Sequence, residues 1–374
     1  MVEAWRGTEF VRRWRAMSEE AYERLAKHLN DLPAGFPQSP DRVELRILKQ
    51  LFSAEEADLA CRLEMAPQEA ASIAQRAGLT PEETSSRLAA MARKGLILRM
   101  DRGGKTHYMA SQYLVGIWEY QVNSLTEALV LDMNAYIPTL MGEMTSRKTQ
   151  QLRTIPVSRS LPGEGAVMAY EEARQIIAQQ SKIAVADCIC RKEHRLVGKG
   201  CDKPLHNCLV FSSGAHYYLA NRLGREITQG DALRILQDAE DAGLVLQPSN
   251  AQKVTNICLC CGCCCQVLKG LKQNRQPARH VNANFYAAAD ETRCVGCEIC
   301  LDRCQMEAIK MVEGVARVSR DRCIGCGLCV STCSSEAVRL FSKPEHERWV
   351  PPTTMAETYA FIAKERGKGL EVKT

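Results

Sequence analysis

The chain of 374 residues contains no run of about 18 apolar residues, which excludes a membrane-spanning helix. Its first residues, MVEAWRGTEFVRRWRAM, lack the continuous apolar stretch of a secretory signal, so a cytoplasmic location is expected. Neither GxGxxG nor GxxxxGK[ST] occurs, so no nicotinamide, flavin or ATP site announces itself. The net charge is only +5, too little to demand nucleic acid or an anionic membrane as partner. With 45 % apolar and 25 % charged residues the balance is that of a globular protein and argues against disorder.

Cysteine is what the chain has in excess. Of 19, Cys61 stands alone, read as a buried core thiol, and the others fall between Cys188 and Cys333. A disulfide scaffold would be short and secreted, whereas closely spaced reduced thiols point to metal.

The fold expected is α+β and multidomain. Residues 1–40 read as a helix with a Pro-rich stop at Leu32-Pro33-Ala34-Gly35-Phe36-Pro37. In 41–112 a short helix stops at Gly78, and Thr80-Pro81-Glu82-Glu83 then supplies an N-cap, a first-turn proline and a capping acid. After Gly95, two apolar-rich stretches flank Asp101-Arg102-Gly103-Gly104, a hairpin signal. This pattern resembles a winged-helix domain of the MarR-like kind, which implies a docking or DNA-binding platform and a route to homodimers. Residues 79–98 also align without gaps on 227–246, each a helical stretch ending in Gly-Leu-aliphatic-Leu. Residues 113–187 read as a helical connector, 188–268 as a Cys-rich helical module, 285–341 as the second Cys-rich domain and 342–374 as a tail.

Two segments share one spacing, Cys294-x2-Cys297-x2-Cys300-x3-Cys304 and Cys323-x2-Cys326-x2-Cys329-x3-Cys333. Structural zinc normally uses CxxC pairs and is disfavoured for such four-cysteine runs. They resemble the bacterial dicluster ferredoxin domain. The resemblance implies one [4Fe–4S] cluster on Cys294, Cys297, Cys300 and Cys333, and another on Cys323, Cys326, Cys329 and Cys304. Gly296, Gly325 and Gly327 suit tight loops with positive φ. Strands are expected at Ile309 and Val338. The proline that usually follows each fourth cysteine is replaced by Gln305 and Ser334.

The middle module holds Cys188, Cys190, Cys201 and Cys208, enough for one more [4Fe–4S] cluster or a zinc ion, with iron favoured because the chain already carries clusters. His206 is weighed as a ligand and ranked below a surface role. Arg191, Lys192 and Arg195 would offset cluster charge or form a solvated face. The run Cys258, Cys260, Cys261, Cys263, Cys264 and Cys265 has too many thiols for one cubane. One or two clusters are therefore expected over 188–265, with ligands shared between the two groups. The intervening chain is expected to form helices at 217–223 and 229–242 and a strand at 244–246. Cys260-Cys261-Gly262 resembles the CCG motif of heterodisulfide reductase subunits, without its long spacings. The whole chain resembles bacterial 4Fe-4S dicluster proteins with an N-terminal winged helix.

Several clusters without an organic cofactor imply an electron-transfer protein that relays low-potential electrons to or from a partner oxidoreductase or electron-donor protein. A cluster-based redox regulator that binds DNA ranks second. Arg87, Arg93, Lys94, Arg99, Arg102 and Lys105 outnumber Glu82, Glu83 and Asp101 there, but the candidate recognition helix starts acidic and Ala-rich. A catalytic subunit reducing a disulfide at Cys258–Cys265 ranks third, because no second catalytic group is identifiable.

Overall fold

The computed structural model describes residues 2–161 and 167–369, with side chains from Met17 onward. The chain divides into two compact units, one up to Glu143 and one from Met144.

In the first unit, α1 (Val2–Asp31) is followed by α2 (Val43–Leu51) and α3 (Ala54–Ala60), the last closed by a Ser53/Glu56 capping box. A two-residue strand, β1 (Gln68–Glu69), precedes α4 (Ala70–Ala77), which stops at Gly78 in a left-handed conformation. Thr80 then caps α5 (Pro81–Arg93), its hydroxyl accepting from the Glu83 N–H at 3.2 Å. Strands β2 (Leu98–Arg102) and β3 (Lys105–Met109) form a hairpin turned by Gly103 and Gly104, both at positive φ, and β1 adds to β3. After a short turn of helix, α6 (Trp118–Tyr120), comes α7 (Glu127–Thr145). Phe36, Tyr113 and Tyr136 meet in an aromatic core, with Phe36 4.6 and 5.0 Å from the other two ring centroids. Cys61, expected in the core, is half-buried at the C-cap of α3, and its thiol donates to the Ala57 carbonyl at 3.2 Å.

The second unit starts with α8 (Ala173–Ala178), β4 (Ile183–Ala186), α9 (Ile189–Leu196), β5 (Cys208–Phe211) and α10 (Ser212–Ala220). It continues with β6 (Gly224–Ile227), α11 (Gln229–Asp241), β7 (Val245–Pro248), β8 (Asn256–Cys260) and α12 (Gln266–Gln273). The five strands form one antiparallel sheet, ordered β6-β4-β5-β8-β7. This region was expected to be mainly helical and is instead built on a sheet. The strands are four or five residues long, too short for an alternating pattern to declare itself, and Gly224-Arg225-Glu226-Ile227 carries two charges on an edge strand. The strand Ile183–Ala186, placed in a helical connector by sequence, is buried at all four positions within the sheet.

The aligned repeat corresponds to the same local path in each unit. Like α5, α11 has 13 residues and a threonine cap, and each ends before a glycine at positive φ, Gly95 or Gly243, that leads into a strand.

The C-terminal part of this unit has β9 (Phe285–Ala289), α13 (Ile299–Arg303), β10 (Ile309–Val312), β11 (Val315–Val318), β12 (Val338–Ser342) and α14 (Met355–Glu365). β9 pairs with β12 and β10 with β11, each antiparallel. The strands at Ile309 and Val338 begin where the sequence placed them.

Candidate metal centres

The C-terminal cysteines line two cavities. Cys294, Cys297, Cys300 and Cys333 border one, and Cys304, Cys323, Cys326 and Cys329 border the other. The fourth cysteine of each run thus faces the three thiols of the other run. A pseudo-twofold arrangement of donors supports each set. The first cysteine of each run accepts an N–H from a strand, Ala316 to Cys294 and Ala287 to Cys323, both at 3.3 Å. The fourth accepts from its own following chain, Ala308 to Cys304 at 3.1 Å and Val338 to Cys333 at 3.4 Å.

Gly296 and Gly325 occupy equivalent places in the two runs at φ +70° and +71°. A Cβ at Gly296 would stand 2.7 Å from the Gly314 carbonyl oxygen, and one at Gly325 would strike the Phe285 backbone. These loops admit only glycine there.

Burial pushes the thiols of Cys300, Cys323 and Cys329 up, and that of Cys326 up to about 12. A bound cation would favour ionisation of these thiols, and N–H donors point at four of the eight sulfurs, those of Cys294, Cys304, Cys323 and Cys333. The residues present fit [4Fe–4S] clusters.

The ten middle cysteines come together across the sheet. Cys208 lies opposite Cys258 in the β5–β8 ladder, and Ala186, two residues before Cys188, lies opposite Cys208. Cys258 and Cys260 share a face of β8 by the strand's two-residue period. Cys190 is within sulfur hydrogen-bond reach of Cys188 and Cys265, Cys260 of Cys258 and Cys265, and Cys258 of Cys208. These contacts link six thiols into one chain. Hydrogen bonds from neighbouring thiols hold Cys258 and Cys265 low, whereas the same contacts, with burial, raise Cys190 and Cys260. Cys188 and Cys265 are the N-caps of α9 and α12, so two helix N-termini also face this set.

Cys201 is not with these six. Its sulfur joins Cys261, Cys263 and Cys264, and the four sulfurs all lie within 4.8 Å of one another. The structure therefore divides the ten across the two sequence groups, with each set drawing on both. His206 joins neither: it pairs with Asp187 at 2.5 Å and is largely exposed.

Of the three basic residues beside Cys188–Cys190, Arg191 is fully buried. Burial works against its charge, but Cys188, Cys261 and Cys260 outweigh burial and raise its pKa. It donates to the Pro204 carbonyl at 2.7 Å and to that of Leu259. Burial pushes Cys261 up, yet Arg191 overcomes this and brings the thiol down to about 7. A network that no sequence signal marks flanks the six-thiol set. Buried Glu193 accepts from Gln266 at 2.6 Å, and His194 bridges the Cys190 carbonyl and Lys269.

The two cysteine-rich regions touch. Gln305, which replaces the usual proline after Cys304, accepts the Gly262 N–H on its side-chain oxygen at 2.7 Å. Arg303 donates to the Asp241 carbonyl at 2.8 Å and to that of Glu240 at 2.5 Å. Cys304 and Cys326 pack against the same apolar core as Cys260, Cys261, Cys264 and Cys265. Ser334, the other departure, is exposed.

A family model described as a 4Fe-4S binding domain matches residues 316–339, which include Cys323, Cys326, Cys329 and Cys333. No curated protein and no solved structure matches the chain. Among the described residues no helix is long and apolar enough to cross a membrane. The matched domain and the gathered thiols give the protein an iron–sulfur electron-transfer role with at least one [4Fe–4S] cluster.

Proposed function

We propose that the protein relays electrons between a partner oxidoreductase and an electron-donor protein, with two [4Fe–4S] clusters on Cys294–Cys333 and at least one further centre on the six-thiol set. The clusters would supply one-electron chemistry over a wide range of potentials. The chain's residues set the order of the centres. Cys297 is exposed, so the set containing it lies nearest a docking partner. Cys326 and Cys329 lie deeper, and Gln305 ties their region to the middle module.

The observation that carries this reading is the Gly262–Gln305 hydrogen bond at 2.7 Å, which places the two cysteine-rich regions side by side in one core. Independent sensing and catalytic modules need no such contact.

The first unit is read as a winged-helix docking platform. Of the basic side chains that would face DNA, Arg87, Lys94 and Lys105 are engaged with Glu83, Glu56 and Glu69 at 2.6–2.8 Å, and Arg99 lies 3.6 Å from Asp101. This favours docking over a DNA-binding regulator.

The test is anaerobic iron and sulfide analysis with potentiometric EPR. At four irons per cube, the two C-terminal clusters and one further cube give about 12 irons per chain, in at least three separable reduction steps. A single step, or fewer than about 8 irons, refutes the relay.

A further inference from the structure

The two middle sets differ in shape, and the difference bears on what each binds. The six-thiol set is a string in which each sulfur touches one or two others. The four-thiol set is a knot, every sulfur within 4.8 Å of every other and Cys264 only 3.6 Å from Cys201.

We propose that Cys201, Cys261, Cys263 and Cys264 bind a single zinc ion, separate from the iron–sulfur centres. A tetrahedral ion with Zn–S bonds of about 2.3 Å puts its sulfurs about 3.8 Å apart, and here one pair is at 3.6 Å with every other pair within 4.8 Å. A cubane instead gives each thiolate its own iron at a different corner, so its sulfurs must surround a core of eight atoms. The ferredoxin-like sets serve as a comparison within the same protein. Their thiols border open cavities, and among the described residues no other group of three or more metal-ligating side chains gathers as tightly.

Four thiolates with no neutral ligand form a closed structural site, and zinc outcompetes ferrous iron for such a donor set. The chain prepares it on both sides. Arg195 donates to the carbonyls of Cys201 and Lys203 at 3.1 and 3.0 Å, holding the Cys201 loop. Gly262 is held by Gln305. The ion would join cysteines 63 residues apart and fix the loop that meets the ferredoxin-like region. The proposal does not rest on electron transfer, because zinc and iron are counted separately.

The test uses the full chain purified anaerobically from cells grown with both metals, with metal analysis and zinc X-ray absorption. About one zinc per chain is expected, bound by four sulfurs near 2.3 Å. Cys201→Ser should lower zinc at least tenfold while the iron content and EPR signals persist. Cys201→His, which restores a zinc ligand, should recover it, so loss through misfolding is recognised. Wild-type protein without stoichiometric zinc, zinc retained in Cys201→Ser, or iron in place of zinc at these four thiols would each overturn the proposal.

Discussion

Replacing Gln305 by Leu deletes one acceptor at the junction between the two cysteine-rich regions. The Gly262 N–H, buried and bonded at 2.7 Å, then has no partner. Such a loss costs about 1–3 kcal/mol. For a unit of this size 1 kcal/mol moves Tm by about 2–4 °C, so the middle of the range corresponds to a fall of roughly 4–8 °C. Gly262→Ala attacks the same contact from the other side. Its Cβ would stand 2.5 Å from the Gln305 carbonyl oxygen and 3.1 Å from the side-chain oxygen, an overpacking worth about 1–3 kcal/mol. Because both changes act on one contact, the double variant should lose less than the two separate losses together. Anaerobic calorimetry on metal-loaded protein measures all three. The EPR signal of the Cys297-containing set, which does not include Cys304, should be unchanged. A Tm within 1 °C of wild type for Gln305→Leu, or strict additivity, would refute the idea that this contact joins the modules.

Cys304→Ala should abolish the cluster whose other thiols are Cys323, Cys326 and Cys329 and spare its neighbour; EPR showing loss at the Cys294–Cys300 set contradicts the crossed arrangement. Arg191→Met removes a buried positive charge beside Cys188, Cys260 and Cys261, so the middle iron centre should become harder to reduce, by roughly 50–100 mV at an effective dielectric near 20; an unchanged or higher midpoint in a potentiometric titration rules this out. Burial first, then Asp58, raises Cys61 from 9.0 to about 11 in the folded protein, so its contribution to stability is full below pH 9 and fades as pH rises towards 11. Cys61→Ala should remove that component of the stability–pH curve, and rapid alkylation of native Cys61 by iodoacetamide at pH 7.5 would contradict it. Binding to duplex DNA should be weak and lost with moderate salt; a sequence-specific ratio of about a thousandfold, measured by anisotropy at physiological salt, would instead restore the regulator reading.

The first three cysteines of each C-terminal run were legible because their grouping is local, whereas the crossing of Cys304 and Cys333 followed only from the resemblance. Three thiols on one tight loop are set by x2 spacing and by glycines such as Gly296 and Gly325, whose positive φ follows from chain geometry alone. The helix cap at Thr80 was an equally local signal, as was the hairpin at Gly103-Gly104. The sheet was not, since its strands are short and two of them flank a helix that dominates the pattern. Gln305 was visible only as a missing proline. What it does depends on Gly262, 43 residues away, and no local rule connects the two.

Grouping of the middle cysteines lies beyond any spacing rule because strand register decides it. Cys188, Cys190, Cys201 and Cys208 look like one ligand set when the chain is read in order. The pairing of Cys208 with Cys258 and of Val245 with Cys260 fixes which sulfurs meet. A shift of one residue along β8 would turn Cys258 and Cys260 to the opposite face and bring Leu259 into the thiol string. The alternation of cysteine with Leu259 inside the strand, and the crowding of thiols after it, then have one cause. Within β8 every second residue is directed to the six-thiol set, and once the strand ends at Cys260 the chain turns. Cys261, Cys263 and Cys264 leave that face and close on Cys201. Cys265, the N-cap of α12, then returns to the six-thiol set, so the eight residues from Cys258 to Cys265 feed both sets of sulfurs.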